Sequence, residues 1–211
     1  MALNPVLDAI VHRRSIYQFK PEKVSEDKIA TILEAARWAP SYANSQPWEF
    51  ITVVDSNLKQ EVVEIAKETM AAHAGVEGAH VIVVTCVDPE KDPYHFIEDG
   101  AVATQNMALA AHSLGLATYW IGIFSPANDR KSAEHKIKQV LDIPERIRVI
   151  SLLPIGVPAY SVEKQRKGLV EICSTDKYSS RKSALGVEEA EEIGMEATRH
   201  ETRSKLFIKP S

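Results

Sequence analysis

Four runs of the sequence are apolar without alternation, and they fix the kind of sheet this chain can build: residues 50–55, 81–87, 117–123 and 148–155. A strand with one face in water alternates apolar and polar residues, because successive side chains point to opposite faces. A run such as V-I-V-V-T-C-V at 81–87 leaves no such polar face, so both sides of the sheet must be covered. Helical periodicity supplies the covers, at about residues 5–12, 25–38, 58–73, 96–114 and 129–141, with a weaker pattern at 187–200. Ser25 followed by Glu26 and Asp27 marks a helix start, and Gly75 and Gly115 mark helix ends. The class is therefore α/β or α+β, a central sheet flanked by helices, with the strand order left open.

At 211 residues the chain is expected to form a single core. Its net charge of -4, with both signs mixed along the sequence, gives no broad basic surface for nucleic-acid phosphates or an anionic membrane. Small molecules and other proteins are the expected partners. Cys86 and Cys173 lie far apart without C-x-x-C spacing, which fits a cytoplasmic, disulfide-free protein, and Asp8 interrupts what a secretory leader would need. The apolar stretch 107–124 approaches a membrane span in length, but Gly115 and the β-branched and aromatic residues after it read as a buried helix running into a buried strand. Trp38, Trp48 and Trp120 are expected in the core.

Three segments carry residues suited to ligand binding. H-R-R-S at 12–15 places two guanidiniums beside a hydroxyl, a set that can enclose a phosphate, although a solvated basic helix end would look the same. Lys164 and Arg166 follow the last strand, where sheets of this class tend to place ligands, and they could equally pair with Glu163 and Glu171. The link A-P-S-Y-A-N-S-Q-P-W-E-F at 39–50 is the most specific. Pro40 ends a helix, Pro47-Trp48 fixes the exit into a strand, and Asn44 and Gln46 offer amides suited to a flat heterocycle with carbonyl and N–H edges.

Taken in order, H-R-R-S-I-Y-Q-F at 12–19, the 39–50 link, D-G-A-V-A-T-Q-N-M-A-L-A-A-H-S-L-G-L-A-T-Y-W-I-G-I-F at 99–124 and L-P-I-G-V-P at 153–158 resemble the flavin-dependent nitroreductase family. The resemblance runs through most of residues 5–173. It implies an α+β fold with a central mixed sheet flanked by helices, an obligate homodimer, and FMN at the subunit interface. Electrons would come from NADH or NADPH and pass to nitroaromatics, quinones or similar electron-poor acceptors by ping-pong chemistry. Residues 1–173 would form the FMN-binding domain and 174–211 an extension, either a disordered tail or an arm that docks Leu206, Phe207 and Ile208 on the partner subunit.

Carried over position by position, the resemblance assigns Arg13 and Ser15, with Arg14 beside them, to the phosphate, and Lys164 and Arg166 to a late basic pair. Pro40, Ser41, Tyr42 and Asn44, with Gln46 nearby, match a segment that a partner subunit lays against the flavin. Gly122 matches a strand-end position whose backbone N–H approaches flavin N5, and its missing side chain would permit that closeness. Tyr17 departs from the pattern, standing where the family has a cation that holds negative charge on the reduced flavin; tyrosine can donate one hydrogen bond but no charge.

FMN performs the redox chemistry itself, so no catalytic residue is assigned and the absence of a triad is expected. The seven histidines lack metal-site spacing, so no metal is expected. Glu98 and Asp99 are adjacent on a helix and so cannot form a glycosidase-like carboxylate pair. With neither G-x-G-x-x-G after a strand nor a P-loop, NAD(P)H would be a transient visitor. The alternative is a flavin- or ligand-binding protein of the same fold that lacks efficient NAD(P)H turnover.

Overall fold

The most apolar of the four runs forms the middle of the sheet. The structure, a computed structural model, describes residues 4–69, 76 and 78–178. In it β3 (Val81–Val87) is buried at every residue. It pairs on one side with β2 (Trp48–Val53) and on the other with β6 (Arg148–Pro158). The far side of β6 takes β1 (Phe19–Lys20), β4 (Ala117–Thr118) and β5 (Ile121–Gly122). All of these pairings are antiparallel, which corrects the expected mixed sheet: the parallel contact among the described residues is the isolated bridge between Ser15 and Thr118. Apolar runs report that both faces are covered and carry no information about strand direction.

The alternation within β3 sends its side chains into two cores. Ile82, Val84 and Cys86 face a cluster that includes Val62, Val63 and Ala66 of α3 (Ser56–Lys67) and Ile137 of α5 (Ala133–Val140). Val81, Val83 and Val87 face the other, with Ile32 and Ala36 of α2 (Glu26–Arg37) and Ala103 and Met107 of α4 (Phe96–Ser113). Ile32, Met107, Ile82 and Leu152 are fully buried, and each such side chain contributes about 1.5–3 kcal/mol.

Local chemistry sets the element ends. Asp55, expected at a strand terminus, instead caps α3 by accepting hydrogen bonds from the N–H groups of Asn57 and Leu58, so the helix starts at Ser56. Ser132 caps α5 by accepting from His135 N–H. Gly115, with φ of 75°, closes α4 in a Schellman arrangement: its N–H bonds His112 O and the Leu116 N–H bonds Ala111 O. The stretch 107–124 is thus a helix end followed by short strands, and among the described residues no helix is long and apolar enough to cross a membrane.

The expected strand at 117–123 is split into β4 and β5. Their registers against β6 are continuous across the gap, Thr118 opposite Ile155 and Ile121 opposite Leu152, which places Pro154 opposite Tyr119. Proline has no N–H to give the ladder, so the strand is interrupted there. The tryptophans divide. Trp48 is buried as expected, whereas Trp38 is 71% exposed and Trp120 37%; the end of a helix and the break opposite Pro154 both turn their rings outward.

The chain separates into two compact units. One is Arg13–Val162; the other gathers what is described of Met1–His12 and Glu163–Ser211, including α1 (Pro5–His12) and the short α6 (Leu169–Ile172). Gly75, the end of the expected helix 58–73, the expected helix at 187–200, and Leu206, Phe207 and Ile208 lie outside the described residues.

A bulge in β6 brings α4 close. Thr85 pairs with Ser151 and Cys86 with Val149, leaving Ile150 as the extra residue, turned toward α4. A methyl group on Gly100 would stand 2.7 Å from Ile150 Cγ1 and 2.9 Å from Val87 Cγ1. Beside it Thr104 bonds Gly100 O at 2.8 Å, Thr85 at 3.0 Å and Ser151 at 2.9 Å, so the buried hydroxyls satisfy one another. We predict that Gly100→Ala lowers unfolding free energy by about 1–3 kcal/mol through overpacking, measured by urea denaturation.

Candidate functional site

The guanidinium segment is held against the sheet by its backbone. Ile16 donates its N–H to Thr118 O, next to the Ser15–Thr118 bridge, so residues 13–15 run beside β4. Arg13, Arg14 and Ser15 are half-buried, and Arg14 Nη1 donates to Arg13 O at 2.9 Å. Tyr17 follows as an aromatic wedge. Its ring packs on Tyr119 at 4.9 Å between centroids, and its N–H bonds the Tyr160 hydroxyl at 3.2 Å. Burial pushes the Tyr119 phenol well above its ordinary range.

The 39–46 link forms a 3-10 turn at Tyr42–Asn44 that concentrates unfavourable backbone. Ala43, Asn44 and Gln46 have φ of 47°, 58° and 48°, three non-glycine residues in the left-handed region within four positions. Each such conformation costs on the order of 1–2 kcal/mol, so the surroundings must hold the turn. Ser41 Oγ accepts from Gln46 N–H at 3.0 Å, and Gln46 Nε2 donates to Asn44 O at 3.3 Å. Asp99, in the first turn of α4, accepts from Tyr42 N–H at 3.1 Å and from Ser45 Oγ–H at 3.3 Å. The Tyr42 ring stacks on His95 at 4.2 Å. Pro40, Tyr42, Asn44 and Gln46 remain exposed. The turn is anchored through the Tyr42 amide and the Ser41 and Ser45 hydroxyls and leaves Asn44 and Gln46 exposed.

Gly122 lies at the exposed end of β5. Ile123 N–H bonds Ile150 O, so by the alternation of an antiparallel ladder the Gly122 N–H faces away from β6. A Cβ there would meet nothing nearer than Trp120 Nε1 at 4.0 Å, leaving that edge open. The segment after it is fixed by Glu134, which is fully buried and accepts from Ser125 N–H at 2.7 Å, Val149 N–H at 3.0 Å and the Arg148 guanidinium at 2.7 and 2.9 Å. Arg148 also donates to Ser125 O at 2.7 Å and covers the Phe124 ring at 4.3 Å. Burial pushes the Glu134 carboxyl up, but Arg148 and the two backbone donors outweigh it and hold the group below its ordinary range.

Arg13–Ser15, Tyr17, Pro40–Gln46 and Gly122 thus share one unit. Lys164 and Arg166 belong to the other, where both are exposed and Arg166 Nη1 donates to Gln165 O at 3.3 Å.

This arrangement can be set beside known proteins. A model of the nitroreductase family matches residues 10–85 and 72–157. The chain belongs to the nitroreductase family. A protein of Methanothermobacter thermautotrophicus named for NADH dehydrogenase and NAD(P)H nitroreductase is 38% identical over 156 residues, 73% of this chain and 78% of its own. An FMN-dependent nitroreductase from Clostridium difficile superposes with a TM-score of 0.74 at 26% identity, covering 82% of this chain and 99% of its own. A nitroreductase-type protein of Desulfovibrio desulfuricans, solved in complex with FMN, is 31% identical with a TM-score of 0.69, over 84% of this chain and all of its own.

Sequence reasoning does not reveal the groups that hold the strained turn and the open edge. In sequence Asp99 is read only beside Glu98, yet it accepts from Tyr42 N–H and Ser45 Oγ–H. Glu134 showed no signal beyond an acidic residue following a helix cap. Both act across long loops, where periodicity is silent. We predict that Glu134→Gln, which leaves Arg148 half-buried beside a neutral amide, costs about 3 kcal/mol at neutral pH. Because the Glu134 pKa is depressed on folding, its contribution is present above the ordinary carboxylate range and lost as pH falls below it. The gap between variant and parent, followed by urea denaturation, should therefore close toward acid pH.

Proposed function

We propose that this nitroreductase-family protein is an FMN-dependent oxidoreductase that takes a hydride from NADH or NADPH. The electrons pass to nitroaromatics, quinones or similar electron-poor acceptors. The observation that carries this reading is the 41–46 turn: three left-handed residues are kept at a cost while Asn44 and Gln46 point outward. Strain of this kind is retained where a ligand is clamped. Amides with both donor and acceptor suit the carbonyl and N–H edge of an isoalloxazine ring.

The donor set fits the cofactor. Arg13, Arg14 and Ser15 would bind its phosphate, and Lys164 and Arg166 are the late basic pair proposed for the same cofactor. Pro40, Ser41, Tyr42, Asn44 and Gln46 would edge the ring from a partner subunit, and Gly122 would offer its outward N–H with no side chain in the way. FMN, when bound, supplies the redox chemistry. Tyr17 would line the pyrimidine side without charge.

A homodimer follows from the same reading, because the turn serves a site only when it reaches another copy. Tyr42 and Tyr94 are 55% and 78% exposed, and Ile97 and Val102 of α4 also face solvent. Apolar side chains set along one helix and the loops at its start suit a second copy of this chain. Residues 1–173 would form the flavin-binding domain and 174–211 an extension.

Two measurements test this. The purified protein should bind added FMN at micromolar concentration and its visible absorption should bleach when NADH or NADPH is added without oxygen. A yellow protein that neither nicotinamide bleaches would favour a binding protein without turnover. We predict that Arg13→Ala combined with Arg166→Ala weakens FMN by about a hundredfold or more, since charge-assisted hydrogen bonds contribute about 1.5–3 kcal/mol each. A double variant that retains FMN with parental affinity would contradict the phosphate assignment.

A further inference from the structure

Two buried carboxyl groups meet behind the strained turn. Asp92 and Asp99 are 2% and 5% exposed and lie close enough for each to act on the other's titration. Asp92 Oδ1 accepts from the N–H groups of Tyr94 and His95 at 2.9 and 3.1 Å. Its Oδ2 is buried and has no hydrogen-bond partner. A buried acceptor without a donor costs about 1–3 kcal/mol, more when it is charged. The missing donor is supplied if Asp99 carries a proton and gives it to Asp92. Asp99 can then still accept from Tyr42 N–H and Ser45 Oγ–H.

We propose that Asp99, holding a proton shared with Asp92, is the positioning residue that clamps the 41–46 turn in its flavin-edging conformation. This rests on the flavin reading above for its consequence and on the buried pair for its cause. Asp99 touches no reacting atom; it acts through the Tyr42 amide and the Ser45 hydroxyl. The turn stores strain at Ala43, Asn44 and Gln46, and those two bonds tie its start and end to α4.

The direction of titration follows from the surroundings. Burial and then the adjacent Asp92 push the Asp99 carboxyl above its usual range, against the Tyr42 N–H. Burial acts on Asp92 likewise, but the Tyr94 and His95 N–H bonds outweigh it and hold that group low. The other titratable groups facing the pair are His95, whose Nδ1 lies 3.7 Å from Asp92 Oδ1, and the Tyr42 phenol stacked on the His95 ring. A group with a raised folded-state pKa contributes at low pH and loses its contribution as pH rises through that value. Deprotonating Asp99 sets two buried negative charges side by side, and on this proposal their repulsion acts against holding Asp99 in place beneath the turn.

The test compares the parent with Asp99→Asn and Asp99→Ala in the full chain, reading FMN affinity by quenching of flavin fluorescence and hydrogen exchange of the 42–46 amides. Both are followed across a pH series that starts in the ordinary carboxylate range and ends well above it. The parent should lose FMN affinity by about tenfold, and lose exchange protection, as pH rises. Asparagine is neutral at every pH, can donate to Asp92 and can accept from Tyr42, so Asp99→Asn should keep the low-pH affinity and protection throughout. Asp99→Ala should be weak and unprotected at all pH values. The proposal is overturned if Asp99→Asn retains the parental pH dependence, or if Asp99→Ala keeps parental protection of the turn. A parent that binds no FMN at any pH refutes the cofactor reading instead, and the exchange measurements still decide the clamp.

Discussion

One strand organises this molecule. β6 is the strand to which β1, β3, β4 and β5 all bond, with β3 along one edge and the three short strands in sequence along the other. Its register therefore fixes several remote parts of the chain together. Gly122 is placed through Ser151, the 13–15 segment through Thr118 and Ile155, and Gly100 of α4 through the bulged Ile150. A slip of one residue in β6 would reverse which core each side chain enters. Pro154 removes one bond from the short-strand edge, and the chain opposite it breaks into two pieces that carry Trp120 outward and Gly122 to an open end.

The cores and the site solve opposite problems. In the cores, apolar residues meet from sheet and helix, and the few buried hydroxyls satisfy one another. At the site, costly conformations and buried charges are held by groups recruited from elsewhere. Glu134 spends all its hydrogen-bonding capacity on Ser125, Arg148 and Val149, thereby fixing the segment that follows Gly122. Asp99 does the same for the turn at 41–46. In both cases a buried carboxyl group accepts backbone N–H from a loop that lacks ladder partners of its own, which is how a loop of fixed shape can exist at a surface.

This division explains what could be read from the residues. The helices at 5–12, 26–37 and 96–113 and the strand at 81–87 lie close to their sequence patterns because periodicity, a cap or a closing glycine marks them locally. β1 carries no such mark, being two residues that exist through Pro158 and Val157. Strand direction, the split at Pro154 and the exposure of Trp38 depend on what stands opposite, which a single run of sequence does not encode. The candidate site was legible as a list of donors, from Arg13 to Gln46, because their chemistry is explicit. Its supports at Asp92, Asp99 and Glu134 were not, because a carboxylate buried by tertiary contact looks in sequence like any charge on a surface.

Tyr17 shows how packing and cofactor chemistry compete for one position. Its ring lies on Tyr119, which is 2% exposed, and such an aromatic pair contributes about 0.5–1.5 kcal/mol beyond its burial. A lysine or arginine there would bring a charge beside a deeply buried ring, and would have to extend past it to reach water. The tyrosine therefore adds to the core at a position where the resemblance implies a charge. Within the larger unit, the cations nearest in sequence are Arg14, on the phosphate side of the proposed site, and Lys20, which is exposed and lies beside Glu22. Negative charge arising on the ring edge would then meet neutral donors, amide and phenol, which stabilise an anion less than a guanidinium does. On the proposed reading, a flavin held this way would accept electrons less readily than one facing a cation, which ties Tyr17 to redox potential as well as to binding.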